Sequence, residues 1–414
     1  MSRKLLRQIG NEWRSNMWLA TELLVVSVVL WYIVDYMFVT VATLREPRGF
    51  DVEHCYLLDF ERLTDKSPDF HEYESGDDYC GEVAEVLERL RRRPEVEAAS
   101  IGVVAHPYNT GNMSVPIGYD SISASGLMRM VSPDFVKVFR FEGVAGETPD
   151  QLAGLLREGK LLMTDQFFAD TPDGVPVSAL VGQKVHLYGD TANTMTVGAS
   201  IKPVRYTDYT QGYWCTSSVM PLTFDKYGWV DEFCVRIRPD MDRNIVESLM
   251  ADSESQFRVG NLYLNSVHPF DVVRDNCLRN SDRELRDYAV GMTFLLLNIF
   301  LGLLGTFWFR TRQRVSEIAI RKVSGATDAD IFRRLIGEGL LLLTIVTPIA
   351  VVVDINLSLL ELNAMYDDAW FQWWRIGITA AIVYGLMAVM IVAGILLPAR
   401  KAMRIDPSEA LHNE

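Results

Sequence analysis

The feature that most constrains this chain is the concentration of its apolar residues into four long windows. These windows cover residues 17–41, 287–309, 335–358 and 375–397. Each is long enough to cross the hydrocarbon core of a bilayer as a helix, which takes roughly 20 residues. Averaged over the whole chain, 49% hydrophobic and 23% charged residues would suit a soluble protein, so the segregation is the informative signal. The sequence therefore predicts an integral membrane α-helical protein with four transmembrane helices.

The first window is predicted to remain in the protein as a membrane anchor. Its apolar stretch, residues 18–41, is too long for a signal peptide, and no small-residue cleavage site follows it. The preceding residues 1–16 are predicted to form an amphipathic segment on the cytoplasmic leaflet.

Basic residues predict the orientation of the four helices. Three basic flanks fall on the same side of the windows: Arg3, Lys4, Arg7 and Arg14, then residues 310–334, then Arg400, Lys401 and Arg404. Cytoplasmic loops carry such an excess of Arg and Lys. We therefore expect residues 310–334 as a cytoplasmic loop and 398–414 as a cytoplasmic tail, with both termini cytoplasmic. Residues 42–286 and the short loop 359–374 are then extracytoplasmic.

The large segment between the first two helices, residues 42–286, mixes helical and strand patterns and is predicted to be α+β with two lobes. Helical spacing of Val83, Val86, Leu87 and Leu90 predicts one helix. Further helices are expected at 149–157 and 241–251, and strands at 98–105, 160–164, 184–187, 195–201, 233–237 and 259–264. The Gly- and Pro-containing residues 171–176 are expected to separate the lobes.

Net charge and the positions of the cysteines limit the kinds of partner and the compartment that suit this chain. The chain has a formal net charge of −14, which argues against nucleic acid as a partner. All cysteines, namely Cys55, Cys80, Cys215, Cys234 and Cys277, fall in the extracytoplasmic segment, consistent with an oxidising compartment. Their connectivity cannot be deduced from the sequence; Cys55 with Cys80 and Cys215 with Cys234 are possible pairs.

We find no pattern for catalysis or for a metal ion. The spacing of His54, Cys55, His71 and Cys80 fits no compact zinc site, and a disulfide with two surface histidines is the favoured interpretation. Neither a G-x-S-x-G nor an H-E-x-x-H motif occurs in the sequence. The chain is therefore predicted to have no catalytic residue, no metal site and no cofactor of its own.

Three acidic residues inside the apolar windows are predicted to have a structural role. Glu22, Asp35 and Asp354 lie within a few turns of a predicted membrane boundary. Solvation at the helix ends is therefore favoured over an ion pathway. Glu338, beside the basic loop, is expected to form a salt bridge within the chain.

The basic loop 310–334 is amphipathic. Its apolar residues Ile318, Ile320, Val323 and Ile331 are expected to form a short buried face, and its Arg and Lys residues to dock onto a cytoplasmic partner. The alternative is that the basic residues only fix topology. Residues 271–287, which precede the second window, carry no strong helix breaker. We expect a continuous helix there, and the alternative is a polar turn.

Two motifs carry a resemblance to a known family. In the loop, the motif consists of Arg314, Glu317, Ile318, Ile320, Arg321, Lys322, Gly325 and Ala326, followed by Ile331 and Glu338. In the tail it consists of Pro398, Arg400, Lys401, Asp406, Pro407, Glu409, Ala410 and Leu411. In these two motifs and in topology the chain resembles permeases of MacB/FtsX-type ABC transporters.

The resemblance implies a permease subunit in a bacterial inner membrane. It would couple ATP hydrolysis to a conformational change of its periplasmic domain, for export or efflux of a periplasmic substrate. The implied partners are a cytoplasmic ABC ATPase dimer, which would bind ATP and Mg²⁺, a second permease copy, the bilayer, and a periplasmic adaptor or outer-membrane protein. No G-x-x-x-x-G-K-[ST] motif occurs in the sequence, so the ATPase is expected on a separate chain. The alternatives are an FtsX-like regulator of a cell-wall hydrolase and a membrane receptor with no ATPase partner.

Overall fold

The structure, a computed structural model, describes residues 13–109, 111–169, 171–172, 174–313 and 315–403. The chain divides into two compact units. One, here called the membrane unit, comprises Met1–Thr43 and Arg283–Glu414. The other, here called the sheet unit, comprises Leu44–Asp282.

The α-helices and strands of the described residues alternate irregularly along the chain. The helices are α1 (Trp13–Arg45), α2 (Gly76–Arg91), α3 (Phe135–Val138), α4 (Pro149–Arg157), α5 (Ile245–Ala251), α6 (Phe270–Gln313), α7 (Val315–Val323), α8 (Asp328–Leu359) and α9 (Trp373–Met403). The strands are β1 (Cys55–Arg62), β2 (Val96–Val103), β3 (Ser114–Tyr119), β4 (Ile122–Val131), β5 (Leu161–Thr164), β6 (Lys184–Leu187), β7 (Asp190–Ile201), β8 (Ser217–Pro221), β9 (Glu232–Ile237), β10 (Arg258–Val259) and β11 (Leu262–Pro269). Short 3₁₀ helices cover Val177–Leu180, Gly212–Cys215 and Phe224–Trp229.

Among the residues that the structure describes, four helices are long and apolar enough to span a membrane: Met17–Arg45, Phe270–Gln313, Asp328–Leu359 and Trp373–Leu396. The predicted fold class, four membrane helices with an α+β region between the first and the second, is confirmed. Each helix extends beyond its apolar window because polar residues continue the helical hydrogen bonding outside the hydrocarbon region. The predicted tail is affected as well, since residues 398–403 still belong to α9.

Helix α6 is continuous over 44 residues, from Phe270 to Gln313. It begins directly after β11, and its first turns lie in the core of the sheet unit, where Phe270 is 1% and Leu278 3% exposed. The expected continuous helix before the second window is therefore confirmed, and the polar turn is excluded. At a rise of 1.5 Å per residue, such a helix is about 66 Å long.

The core of the membrane unit is apolar along most of its length, with Trp31, Leu303, Met387 and Ile391 among its buried side chains. Trp31 Nε1 donates a hydrogen bond to Thr379 Oγ1 at 2.9 Å, which links α1 to α9. A buried indole N–H without a partner would cost free energy, so this bond also satisfies the one polar atom of the tryptophan.

A buried ion pair joins α1 to α9 in the membrane unit. The Arg375 guanidinium donates to both carboxylate oxygens of Asp35, from Nε at 2.8 Å and from Nη2 at 2.7 Å. Both side chains are 1% exposed. Asn363 Nδ2 donates to the same carboxylate at 3.1 Å. Asp354 of α8 is also buried, at 2% exposure.

The expectation that Asp35 and Asp354 are solvated at helix ends is therefore wrong. Distance from the window boundary does not determine exposure here, because neighbouring helices cover both carboxylates. Glu22 is only half-buried and accepts hydrogen bonds from Thr306 Oγ1 at 3.1 Å. The salt bridge predicted for Glu338 is present, with Arg334 Nε 3.4 Å from its carboxylate.

The strands of the sheet unit form one sheet in the order β10-β11-β1-β9-β2-β4-β3-β6-β7-β5-β8. An additional pairing of β4 with β8 closes the last six strands into a barrel. The β4–β8 and β5–β7 pairs are parallel, and the other pairs are antiparallel. Strand β4 belongs to both the open part of the sheet and the barrel.

Both faces of the open sheet are buried, which follows from the alternation along its strands. In β1, Tyr56 and Leu58 face a core that includes the apolar side of α2, whereas Cys55 and Leu57 face a second core that includes α3, α4 and Phe270. Helix α2 starts with a capping box made by Ser75 and Asp78. Such a cap satisfies backbone N–H groups that have no partner inside the helix.

Periodicity predicts several elements of the sheet unit well and omits others. Helix α4 and strand β6 have the predicted bounds, while β1, β3, β4 and β8 have no counterpart in the prediction. The residues 171–176, expected to separate two lobes, lie between β5 and β6, which both belong to the barrel. Asp170 and Asp173 lie outside the described residues.

The suggested disulfides are wrong. All five cysteines are described, and none of them forms a disulfide in the structure. Cys55 faces the core of α3 and α4, whereas Cys80 is on α2, which packs on the opposite face of the sheet. The sheet therefore separates the first pair. Cys234 is a buried residue of β9, and Cys215 lies in a half-exposed 3₁₀ helix.

We expect thiol reagents to distinguish these cysteines. Burial raises the pKa of the Cys55 thiol to about 12 and raises that of Cys234 well above its usual value, so neither provides the reactive thiolate. In the folded protein, iodoacetamide should label only the half-buried Cys215 and Cys277, and Cys55, Cys80 and Cys234 should react only in denaturant. Peptide mass spectrometry would measure this. Labelling of Cys55 or Cys234 before unfolding would contradict it.

Candidate coupling site

The loop between the second and third membrane helices is a compact helical hairpin, formed by α7, a tight turn and the start of α8. Helix α7 ends in a Schellman motif: Ala326 N–H donates to Arg321 O and Gly325 N–H donates to Lys322 O, both at 3.0 Å. Gly325 has φ +89, a left-handed conformation that a side chain disfavours. The Gly-Ala pair of the sequence motif is therefore the stop signal of α7.

The start of α8 is equally well defined. Thr327 is the N-cap, its hydroxyl accepts from Asp330 N–H at 3.3 Å, and the Asp330 carboxylate accepts from Thr327 N–H at 3.2 Å. Lys322 Nζ lies 2.9 Å from Asp328 Oδ1, which joins the last turn of α7 to the first turn of α8. Two caps and one ion pair thus fix the angle between the two helices.

A small apolar contact holds the hairpin closed. Ile318 of α7 and Ile331 of α8 are 4% and 3% exposed and contact each other, with Ala326 and Leu335 packed against them. Because this contact buries only a few side chains, the hairpin depends on the helix caps as well as on buried apolar area.

The outer face of α7 is apolar and uncovered. Ile320 is 55% exposed and Val323 is 69% exposed. The expectation that these two share a buried face with Ile318 is wrong. Ile320 is two residues and Val323 five residues from Ile318, whereas side chains on the same side of a helix are three or four residues apart. Arg321 and Lys322 lie between them and are partly exposed. The α7 surface therefore presents two apolar side chains flanked by two cations.

The remaining residues of the two predicted motifs are placed as follows. Arg314, Asp406, Pro407, Glu409, Ala410 and Leu411 lie outside the described residues, as do the side chains of Glu317, Pro398 and Lys401. Arg400 is exposed on α9. The described part of the chain thus brings together Ile318, Ile320, Arg321, Lys322, Gly325 and Ala326 in the hairpin, whereas Arg400 belongs to α9.

Sequence reasoning missed the residues that shape this site. Thr327, Asp328 and Asp330 make the cap and the ion pair, and the sequence T-D-A-D before an apolar run is a signal that could have found them. The pair of Asp35 and Arg375 gave no local signal, since its members are 340 positions apart.

The sheet unit contains no described cluster that resembles a metal site. Among the residues that the structure describes, no group of three or more His, Cys, Asp or Glu side chains could hold a metal ion. Of the histidines considered in the sequence, His54 has Nδ1 2.6 Å from Asp242 Oδ2, and His71 accepts through its backbone carbonyl from Asn261 Nδ2 at 2.6 Å.

Comparison with known proteins connects the hairpin and its flanking helices to one family. Residues 289–407 match the family described as FtsX-like permease C-terminal. The macrolide export ATP-binding/permease protein MacB of Escherichia coli strain K12 is 24% identical over 341 residues, which cover 78% of this chain and 48% of that protein. The pyoverdine export ATP-binding/permease protein PvdT of Pseudomonas putida is 27% identical over 157 residues, which cover 36% of this chain and 22% of that protein.

The chain spans about half the length of the MacB relatives that it matches. A solved structure, the extracellular domain of the noncanonic ABC-type transporter YknZ from Gram-positive bacteria, aligns with 50% of this chain and 100% of that domain. The identity is 10% and the TM-score is 0.28, too low to establish a common fold. The resemblance to MacB/FtsX-type permeases is confirmed by the family match and the MacB relatives.

Proposed function

We propose that this chain, whose residues 289–407 match the FtsX-like permease C-terminal family, is a permease subunit that transmits ATP-driven motion to its large domain between the first two helices. An ABC ATPase on a partner chain would hydrolyse ATP, and the α7–α8 hairpin would receive the movement. The ATPase would supply the ATP and Mg²⁺ site. The sheet unit would act on a substrate outside the cytoplasmic membrane, by export or efflux.

The observation that carries this proposal is the uncovered face of α7. Ile320 and Val323 are more than half exposed, although they lie on a helix whose C-terminal end is fixed by a cap. An apolar pair in water favours contact with a partner surface, and Arg321 and Lys322 add complementarity to acidic groups. A hairpin with fixed geometry would pass a displacement on to the helices on either side of it.

Helix α6 supports the second half of the proposal. It runs without a break from the core of the sheet unit through an apolar segment to Gln313, just before α7. A continuous helix resists bending, whereas a flexible linker would absorb the displacement. Residues near Val315 to Ala326 would therefore act at one end of α6 and the sheet unit at the other.

Charged substitutions on the exposed face of α7 test the docking role. We expect the double variant Ile320→Asp and Val323→Asp to lose most of the bound ATPase, because carboxylates would have to be buried in the contact. Reversing Arg321 and Lys322 to Glu should weaken stimulation of the ATPase by about tenfold or more. The readouts are the amount of ATPase that copurifies in mild detergent and its permease-stimulated turnover.

Leu360→Asp is the matched control, because Leu360 is 67% exposed, like Val323, but lies beyond the opposite end of α8. It should leave ATPase binding unchanged. If the α7 variants stay folded and still bind and stimulate the ATPase as the wild type does, the docking role is wrong. If no ATPase copurifies with the wild type and none is crosslinked to it in intact membranes, a receptor without an ATPase partner becomes the better assignment.

The compartment and assembly follow from the same proposal. We place the chain in a bacterial inner membrane with the hairpin on the cytoplasmic side, as the positions of the basic residues favour. Two ATPase subunits need two docking hairpins, so a second permease copy completes the complex. A periplasmic adaptor, an outer-membrane protein or a cell-wall hydrolase would bind the sheet unit, and the last of these would make the chain an FtsX-like regulator.

A further inference from the structure

One loop of the sheet unit contacts both chain segments by which that unit connects to the membrane helices. The loop, residues 203–210, lies between β7 and β8. The first segment, residues 46–50, follows α1, and the second is the beginning of α6, residues 270–282. All three belong to the sheet unit.

Asp208 joins the loop to α6. Its carboxylate is 6% exposed and accepts from Arg274 Nε at 2.7 Å, with Arg274 Nη2 at 2.6 Å. It also accepts from the Tyr108 hydroxyl at 2.7 Å. Burial, followed by the hydrogen bond to Asp208, raises the pKa of Tyr108 to about 12, so the hydroxyl remains a donor at neutral pH. A buried carboxylate with two such donors is held in one position.

The same loop holds the segment after α1. Arg205, only 2% exposed, donates from its backbone N–H to Arg48 O at 3.0 Å and from Nη1 to Glu46 O at 3.4 Å. Arg48 Nη1 in turn donates to the Tyr108 hydroxyl at 3.1 Å and lies 4.0 Å from Asp208 Oδ1. At Gly49, φ is +79, and a Cβ would lie 1.9 Å from Pro203 O. The two backbones are therefore in direct contact.

Backbone strain in the neighbouring loop shows that this arrangement is tightly determined. Tyr108 has φ +63 and Val104 has φ +46. Both lie in the left-handed region, which bulky and β-branched side chains rarely occupy. Glu232, buried at 3% exposure, accepts from the backbone N–H groups of Ala105 and His106 at 2.8 Å each. These bonds hold the loop between Val104 and Tyr108 in place. Strained residues persist only where their surroundings fix them.

We propose that Asp208 is a positioning residue that fastens the first turns of α6 to the segment that follows α1, so that both move as one body. This inference rests on the proposed function, because the fastening would serve to pass displacement of α6 to the sheet unit without loss. The fastening itself is a property of the sheet unit. It can be measured without any ATPase.

Hydrogen exchange of the full chain in detergent tests the fastening. Asp208→Asn keeps an acceptor for Tyr108 but loses the charge that holds Arg274. We expect amide exchange in peptides covering 203–210 and 270–282 to rise about tenfold relative to the wild type. Asp275→Asn is the matched control, because Asp275 lies 3.9 Å from the same Arg274 but is 77% exposed. It should leave exchange unchanged.

A second variant keeps the inference testable if Asp208→Asn does not fold. Arg274→Gln breaks only the link to α6, so exchange should rise in 270–282 and stay unchanged in 203–210.

With the ATPase bound, ATP should alter exchange in 203–210 of the wild type, and Asp208→Asn should reduce that response while ATPase binding persists. The inference is overturned if Asp208→Asn exchanges like Asp275→Asn in both segments. If the nucleotide-free result holds but ATP has no effect on the wild type, it is the proposed function that fails.

Discussion

Replacing Asp35 by leucine is expected to lower the free energy of unfolding of the membrane unit by about 3–5 kcal/mol. The Arg375 guanidinium would lose both of its bonds to the carboxylate while remaining 1% exposed. An unpaired charge in an apolar helix bundle is more costly than the lost attraction alone suggests. Arg375→Met should have an effect of the same size, because it would leave the buried Asp35 carboxylate without its charged partner. Thermal unfolding in detergent, followed by tryptophan fluorescence, measures both.

The double variant Asp35→Leu with Arg375→Met separates a buried pair from two independent defects. Since the double change removes both charges, it should be more stable than either single variant. Glu22→Gln serves as the control, because Glu22 is half-buried and its partner is the neutral Thr306. Its effect should stay below about 1 kcal/mol. Additive losses in the double variant would show that the two residues do not act as a pair.

Arg236→Met is expected to be the most damaging single change within the sheet unit, with a loss of roughly 3–5 kcal/mol. Arg236 is 1% exposed and donates to three backbone carbonyls, those of Val138 at 2.6 Å, Glu53 at 2.8 Å and Asp51 at 2.7 Å. Methionine would fill the space but remove all three guanidinium donors, which would leave Val138 O and Asp51 O with only the weak donor of the Cys55 thiol. Urea unfolding followed by circular dichroism of the sheet signal measures the change.

Arg258→Met provides the comparison on the surface. Arg258 makes ion pairs with Asp69 at 2.6 Å and Glu254 at 3.0 Å, but its side chain is 31% exposed and its partners are more so. Exposed ion pairs contribute little to stability, so this variant should be almost as stable as the wild type. If Arg236→Met and Arg258→Met lose similar amounts, the three buried carbonyls are not what makes Arg236 important.

The membrane helices could be predicted from the sequence because their signal is local. A run of apolar residues long enough to span a bilayer has few other folded solutions. The helix caps of the hairpin are local for the same reason: Gly325 and Thr327 act on residues within one turn of themselves. These features need no knowledge of the rest of the chain.

The features that the sequence does not reveal depend on contacts between distant residues. The β4–β8 pairing that closes the barrel joins Leu127 to Ser217, and neither strand has a pattern that names its partner. Asp35 looks like a helix-end carboxylate until Arg375 is known to cover it. Ile320 looks like a core residue until Ile318 is seen to take the inner face of α7. Pattern gives the type of an element, and packing decides which side of it is buried.

The strand order has a consequence for the way in which the sheet unit is made. β1 is the first strand to leave the ribosome, yet its two neighbours, β9 and β11, are among the last. The open sheet therefore cannot be completed until the chain has been delivered as far as Pro269. During that interval both edges of β1 are unpaired, a condition that favours aggregation. Residues after β1 can fold earlier where their pairing partners have already been made, as in the β3–β4 hairpin.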